Sequence, residues 1–314
     1  MNESACPPEA VVVAAYAKIN LTLDVFSKRA DGYHSMASVM QTISLCDTLS
    51  LQRRSEPGVR LTCDAPASFA VPVDATNLAY RAAEAALAAA SEEGKAVEAG
   101  VVIHLEKRIP AQAGLGGGSS DAAAALVGVN ALLGLGLDSA RLHALASGLG
   151  SDVPFFLTGG TAVARGRGEN ITSLPDAPRF WLVVVKPEEN VSTAWAYSAL
   201  DAVPERSSHR ATGRMEEALH ARDTDRLIAW QSNDFELPVF AQYPRLAWLH
   251  DELRMAGALT AHLCGSGSAV YGVAPDEAKA QRMADLLRKR YAEVFVARTL
   301  SRDESDPLHS AFIP

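Results

Sequence analysis

Apolar and polar positions alternate strictly over Ile19, Leu21, Leu23 and Val25, which are interleaved with Asn20, Thr22 and Asp24. Together with the apolar run before it, this period of two predicts strand over 11–26, one face buried and the other polar. Similar patterns predict strands over 39–51, 59–63, 101–105, 180–185 and 294–297. Residues 259–263 and 269–273 flank a glycine turn and read as a hairpin, as does 161–168 after Gly159-Gly160. A helical period covers 78–90 behind the cap Thr76-Asn77, and recurs over 139–149, 214–221, 223–230, 243–255 and 275–291. The charged stretch 201–213 reads as a dispensable loop, and the last ten or so residues read as a loose tail. Strands that come in hairpins mixed with helices, without strict βαβ order, indicate an α+β fold with helix-covered sheets.

Within this pattern one stretch stands apart: Pro110-Ala111-Gln112-Ala113-Gly114-Leu115-Gly116-Gly117-Gly118-Ser119-Ser120-Asp121, followed by an alanine-rich run. It joins a strand to a helix. Its glycines permit positive φ and close approach to the backbone. A helix start with unpaired N–H groups and a positive dipole end suits an anion such as phosphate, although a plain glycine turn before a helix has the same local look. The loop lacks the Lys of a Walker motif, and Ser119 stands where a dinucleotide fingerprint needs its third glycine. No protein-kinase catalytic-loop signature occurs.

Composition narrows the function classes. The chain has 314 residues, 48% of them hydrophobic, and a net charge of −8. The length allows one large or two modest domains, and the acidity argues against nucleic acid or an anionic membrane as partner. Cys6, Cys46, Cys63 and Cys264 are scattered, which fits reduced thiols in a cytoplasmic protein rather than a disulfide or metal framework. No secretory n-region or membrane-length apolar segment is present, so a soluble protein is expected.

Candidate chemistry lies at a few turns. Tyr33 and His34 follow the Asp31-Gly32 turn, where an aromatic ring can stack on a base or simply end a hairpin. Asp152 lies in Gly150-Ser151-Asp152-Val153-Pro154, beside aromatic residues, as a general base or as a turn or cap residue.

Taken in order, Ala17-Lys18-Ile19-Asn20-Leu21, the glycine loop and Cys264-Gly265-Ser266-Gly267-Ser268 resemble the GHMP small-molecule kinases. Arg29-Ala30-Asp31-Gly32-Tyr33-His34 and Gly150 to Phe156 narrow the resemblance to the branch that phosphorylates the 2-hydroxyl of 4-diphosphocytidyl-2-C-methyl-D-erythritol with ATP, in the non-mevalonate isoprenoid pathway. The resemblance implies a two-domain fold. An N-terminal domain like ribosomal protein S5 domain 2 is expected over 10–172, a ferredoxin-like C-terminal domain over 173–300, and a tail over 301–314. It implies Lys18 and Asp152 as catalytic, with Asp152 the base and Lys18 the charge stabiliser. ATP and Mg²⁺ are the implied cofactors. The loop 110–120, with Asn77 and Lys107 on the adenine side, is implied to bind ATP. Mg²⁺ would be carried mainly by ATP, with Ser119 or Ser120 touching it. Asn20, Asp31, Tyr33, His34, Thr193, Tyr197, Gly265, Ser266 and Gly267 are implied to bind substrate, with Tyr33 and Tyr197 sandwiching the cytosine. The implied partner is a small-molecule substrate, with no nucleic acid and no membrane, for a monomer or weak homodimer. Three positions depart from the family pattern: Tyr16 in place of a proline, Gln112 in place of a small or apolar residue, and Thr76 in place of Asp. Another GHMP kinase and a non-catalytic nucleotide-binding relative are the competing readings.

Overall fold

A computed structural model describes residues 8–30, 32–66, 69, 71–95, 99–203 and 211–307. Asp31, Cys6 and residues 204–210 lie outside them, and with Asp31 one of the expected substrate residues.

The first expected strand is two strands, β1 (Ala10–Asn20) and β2 (Thr22–Lys28). They divide at Leu21, whose N–H reaches Val39 O at 2.8 Å. Strand β3 (His34–Arg54) runs longer than its apolar pattern because it is the common partner of its sheet. It pairs antiparallel with β1, β2, β5 (Gly100–Glu106) and β6 (Thr161–Gly166) along different parts of its length. Strands β4 (Val59–Asp64) and β7 (Asn170–Ser173) extend the sheet beside β5 and β6. The helices α1 (Leu78–Glu92), α2 (Gly117–Leu133), α3 (Ser139–Leu149) and α4 (Val153–Thr158) belong to this half. The alanine-rich faces of α1 and α2 pack on Val13, Leu49, Leu51 and Ile103. Small residues let helix and sheet approach closely: a Cβ on Gly128 would stand 2.8 Å from Leu51.

The second sheet has the order β10 (Thr260–Leu263), β11 (Val270–Ala274), β8 (Trp181–Lys186), β12 (Glu293–Arg298), all antiparallel. That order, with helix α10 (Glu277–Leu287) between β11 and β12, is ferredoxin-like. Helices α5 (Thr193–Asp201), α6 (Ala211–Ala221), α7 (Thr224–Ala229), α8 (Glu236–Gln242) and α9 (Pro244–Ala256) fill the long connection from β8 to β10. Among the described residues no helix is long and apolar enough to cross a membrane, and the cysteines described carry free thiols.

Two expectations from the sequence are corrected here. The stretch 201–213 is not all loop. Asp201 closes α5 and 211–213 begin α6, where Thr212 is buried with its N–H on Asp24 and its hydroxyl 3.0 Å from that of Thr22. The tail is not loose over 301–307. A 3-10 turn at Asp303–Ser305 docks on the N-terminal half, and Ser305 Oγ accepts from Gly160 N at 2.8 Å. In both places buried hydrogen bonds to a distant part of the chain replace the missing local pattern.

The two halves share one core. Ile19, Val39 and Val163 from the first pack with Val184, Met215 and Tyr271 from the second. The short strand β9 (Ser232–Asn233) joins the first sheet, parallel to β2.

Candidate active site

Lys18 and Asn20 end β1 at the centre of the molecule. A register shift between Tyr16 and Ala17 sets the direction of their side chains. The Lys18 Nζ donates to Asn20 Oδ1 at 2.8 Å, Asn20 Nδ2 to Ser38 Oγ at 2.7 Å, and Ser38 Oγ to Thr22 O at 2.6 Å. Tyr271 OH donates to Asn20 O at 3.0 Å and so ties the pair to the second sheet. Lys18 is only 4% exposed, and a buried ammonium requires such partners.

Asp152 occupies the N-cap position of α4 and makes no side-chain cap bond. Its carboxylate stands 3.7 Å from Lys18 Nζ and its side chain is 40% exposed. The carboxylate is therefore charge-paired on one side and open on the other. The turn between β6 and β7 borders it, since a Cβ on Gly168 would lie 3.8 Å from Asp152 Oδ1.

The glycine loop arches over these groups. Gly114 and Gly116 hold φ of 76° and 74°, and Gln112 takes a left-handed φ of 52°. Leu115 O accepts from Lys18 N at 3.0 Å. A Cβ on Gly116 would stand 2.6 Å from Phe156 and 3.2 Å from the Lys18 stem. The second glycine turn backs the first: a Cβ on Gly114 would meet Cys264 O at 1.8 Å, and Ala269 N donates to Ala113 O at 3.1 Å. Beside Gly265 the Lys18 ammonium is again the neighbour, 3.5 Å from a built Cβ. No side chain caps α2, so its leading N–H groups are open to an anion.

Outside this arch is a cleft of about 380 Å³, lined by 110–119 together with Asn77 and Lys107. Ser119 faces it, whereas Ser120 is buried. Asn77 caps α1, accepting from Ala79 N and donating to Pro72 O. The Lys107 ammonium is committed to Asp47 and, at 2.8 Å, to Asp121 of α2. Burial works to lower its pKa, and the charges of Asp121 and Asp47 outweigh it. Burial in turn pushes the Asp121 carboxyl up, against the pull of Lys107. Burial also raises the Cys264 thiol to about 12, leaving it unreactive.

A separate group of the site is aromatic. His34 stacks on Tyr197, centroids 5.0 Å apart at 23°, and Tyr197 meets Phe235 edge-on. Burial raises the Tyr197 pKa, with the Asp152 charge adding to it. Tyr33 stands at the rim, 58% exposed, with the Arg167 guanidinium 5.1 Å above its ring. Among the described ring pairs it is His34, not Tyr33, that faces Tyr197. Thr193 and Ser266, both expected at the substrate, join through their hydroxyls at 2.9 Å. Asn233 escaped the sequence reading. Its amide donates to Leu263 O and Gly265 O and shapes the second glycine turn. The only trace of it was a polar break between helices.

The model for the GHMP kinases N terminal domain matches residues 77–160, and that for GHMP kinases C terminal matches 215–293. A 4-diphosphocytidyl-2-C-methyl-D-erythritol kinase of Moorella thermoacetica is 44% identical over 294 residues, 93% of this chain and 100% of that protein. A crystal structure of a 4-(cytidine 5'-diphospho)-2C-methyl-D-erythritol kinase superposes with a TM-score of 0.74 at 36% identity, covering 92% of this chain and 98% of that one. A homoserine kinase structure from Cytophaga hutchinsonii has a TM-score of 0.72 at 20% identity, over 96% and 97% of the two chains, and so shares the fold.

Proposed function

The chain belongs to the GHMP kinases, in the family of 4-diphosphocytidyl-2-C-methyl-D-erythritol kinases, and on that premise we propose that it transfers the γ-phosphoryl group of ATP to the 2-hydroxyl of that substrate. The observation that carries this reading is the Asp152 carboxylate, unused as a cap, 40% exposed and 3.7 Å from Lys18.

Phosphoryl transfer needs alignment and charge stabilisation more than covalent chemistry from the protein. Asp152 accepts the proton of the attacking hydroxyl as its oxygen bonds to the γ-phosphorus and the bond to ADP breaks. Lys18, 3.7 Å from the Asp152 carboxylate, offsets charge on the phosphoryl oxygens. Asn20, held by Ser38, orients the substrate hydroxyls. The open N–H groups at the start of α2 receive the phosphates. The Ser119 hydroxyl is a hard oxygen donor suited to the Mg²⁺ that arrives on ATP, where the ion neutralises phosphate charge. Tyr33, His34 and Tyr197 form the cytidine side, and Asn77 borders the adenine.

The test is ADP release with ATP and Mg²⁺ and three acceptors in parallel: the cytidylylated methylerythritol, homoserine and mevalonate. Turnover with the first alone is expected. Turnover with another acceptor would discard the cytidine side, and ATP binding without any turnover would discard the kinase.

A further inference from the structure

The aromatic group contains a charge that the sequence reading had placed in dispensable loop. His34 Nε2 lies 2.7 Å from Asp201 Oδ1, at the last residue of α5. The His34 side chain is buried, and that of Asp201 is a third exposed. The imidazole is thus fixed twice: its face by Tyr197, one turn earlier on the same helix, and its edge by Asp201. Among the described residues His34 Nδ1 has no hydrogen-bond partner.

An ionised carboxylate can only accept, so the ring nitrogen facing it must carry the hydrogen. Which imidazole nitrogen is protonated is set by the bond that the other one makes. With hydrogen on Nε2, neutral His34 presents Nδ1 as an acceptor. A pyrimidine bearing a 4-amino group brings a donor to that lone pair. One bearing a 4-oxo group brings a second acceptor, and the two repel.

We propose that Asp201 is a specificity-determining positioning residue, holding His34 in the tautomer that selects a cytidine 5'-diphospho-alcohol over its uridine counterpart. The inference rests on the reading of this site as the base pocket of a cytidylylated substrate, and it assigns the base preference to a residue that does not touch the base. A site built around one hydrogen bond rejects a ligand that leaves its polar groups unpaired much more strongly than an apolar pocket rejects a wrong shape.

Two readouts test it. By calorimetry, wild-type protein is expected to bind CDP at least about tenfold more tightly than UDP. Asp201→Ala is expected to shrink that ratio to within about twofold, mostly by weakening CDP. Asp201→Asn, whose amide can donate to Nε2 and leave the hydrogen on Nδ1, is expected to move the ratio toward UDP. In turnover, Asp201→Ala should raise KM for the cytidylyl acceptor about tenfold or more, with a much smaller change in kcat and in KM for ATP. His34→Ala and the His34→Ala/Asp201→Ala double variant should show the same CDP-to-UDP ratio, since Asp201 acts through His34. A general loss of packing would weaken CDP and UDP alike, and that result overturns the proposal, as does an unchanged ratio in both Asp201 variants. Wild-type protein that turns over the cytidylyl acceptor without preferring CDP sinks this inference alone. Wild-type protein that prefers CDP yet turns over no acceptor sinks the kinase reading and leaves the tautomer argument standing.

Discussion

At the scale of single residues the site depends on how Lys18 and Asp152 share their partners. Lys18 is bound to Asn20 at 2.8 Å and faces Asp152 at 3.7 Å, so its charge is fixed by the protein and remains available to the open carboxylate. If Asp152 is the base, Asp152→Asn keeps the shape and loses the proton acceptor. We expect kcat to fall by roughly 10²–10⁴ while the ATP dissociation constant stays within about twofold, read by ADP release and calorimetry. Full activity in that variant would falsify the base assignment.

At the scale of elements the two glycine turns act as one unit. Gly114 sits at φ 76°, and a Cβ there would stand 1.8 Å from Cys264 O, so Gly114→Ala must push the turns apart as well as strain the backbone. A lower Tm together with a raised KM for ATP is the expected pair of effects; a variant with wild-type values for both would show that the turns move independently. The Asp47, Lys107 and Asp121 group anchors both ends of the loop. Asp47 accepts from Ile109 N and from Lys107, and Lys107 reaches Asp121 in α2. Asp47→Ala removes an acceptor from buried donors and is expected to cost about 3 kcal/mol in urea unfolding. A loss below about 1 kcal/mol would mean that water enters and replaces the carboxylate.

At the scale of the whole molecule the side chains of the candidate site come from both halves, and the chain returns after β12 to lock them. Leu300 N donates to Thr42 O, Arg302 Nη2 reaches Thr161 O and Leu174 O, and Ser305 Oγ receives Gly160 N. Gly159 caps the helix that Asp152 begins, so this strap braces the far end of α4. Ser305→Ala leaves the Gly160 N–H buried without its acceptor and is expected to cost about 2 kcal/mol of stability. It should also lower kcat more than it raises KM for ATP. An equal change in the two, or none, would show that the strap holds the fold without positioning Asp152.

Local chemistry alone was sufficient for much of this. The period-two alternation around Ile19, the cap at Asn77 and the glycines before α2 each state their conformation within a few residues, because sterics and backbone hydrogen bonding act at that range. The ordered motifs then placed Lys18, Asp152 and the loop 110–120 on a common fold, and the family models match 77–160 and 215–293 within it. Only the tertiary structure decided which side chains meet. The ammonium of Lys107 is consumed by Asp47, 60 residues earlier, and by Asp121. His34 is held by Asp201, 167 residues later, and Asn233 shapes the turn at Gly265 from β9. Strand length, the break at Leu21 and the docking of 301–307 were decided in the same way. A lone Asp or Asn in a polar stretch has the same local sequence whether it faces water or a buried partner. What separates the two is the cost of leaving a polar group unpaired in the interior, and that cost arises only once the distant chain has packed around it.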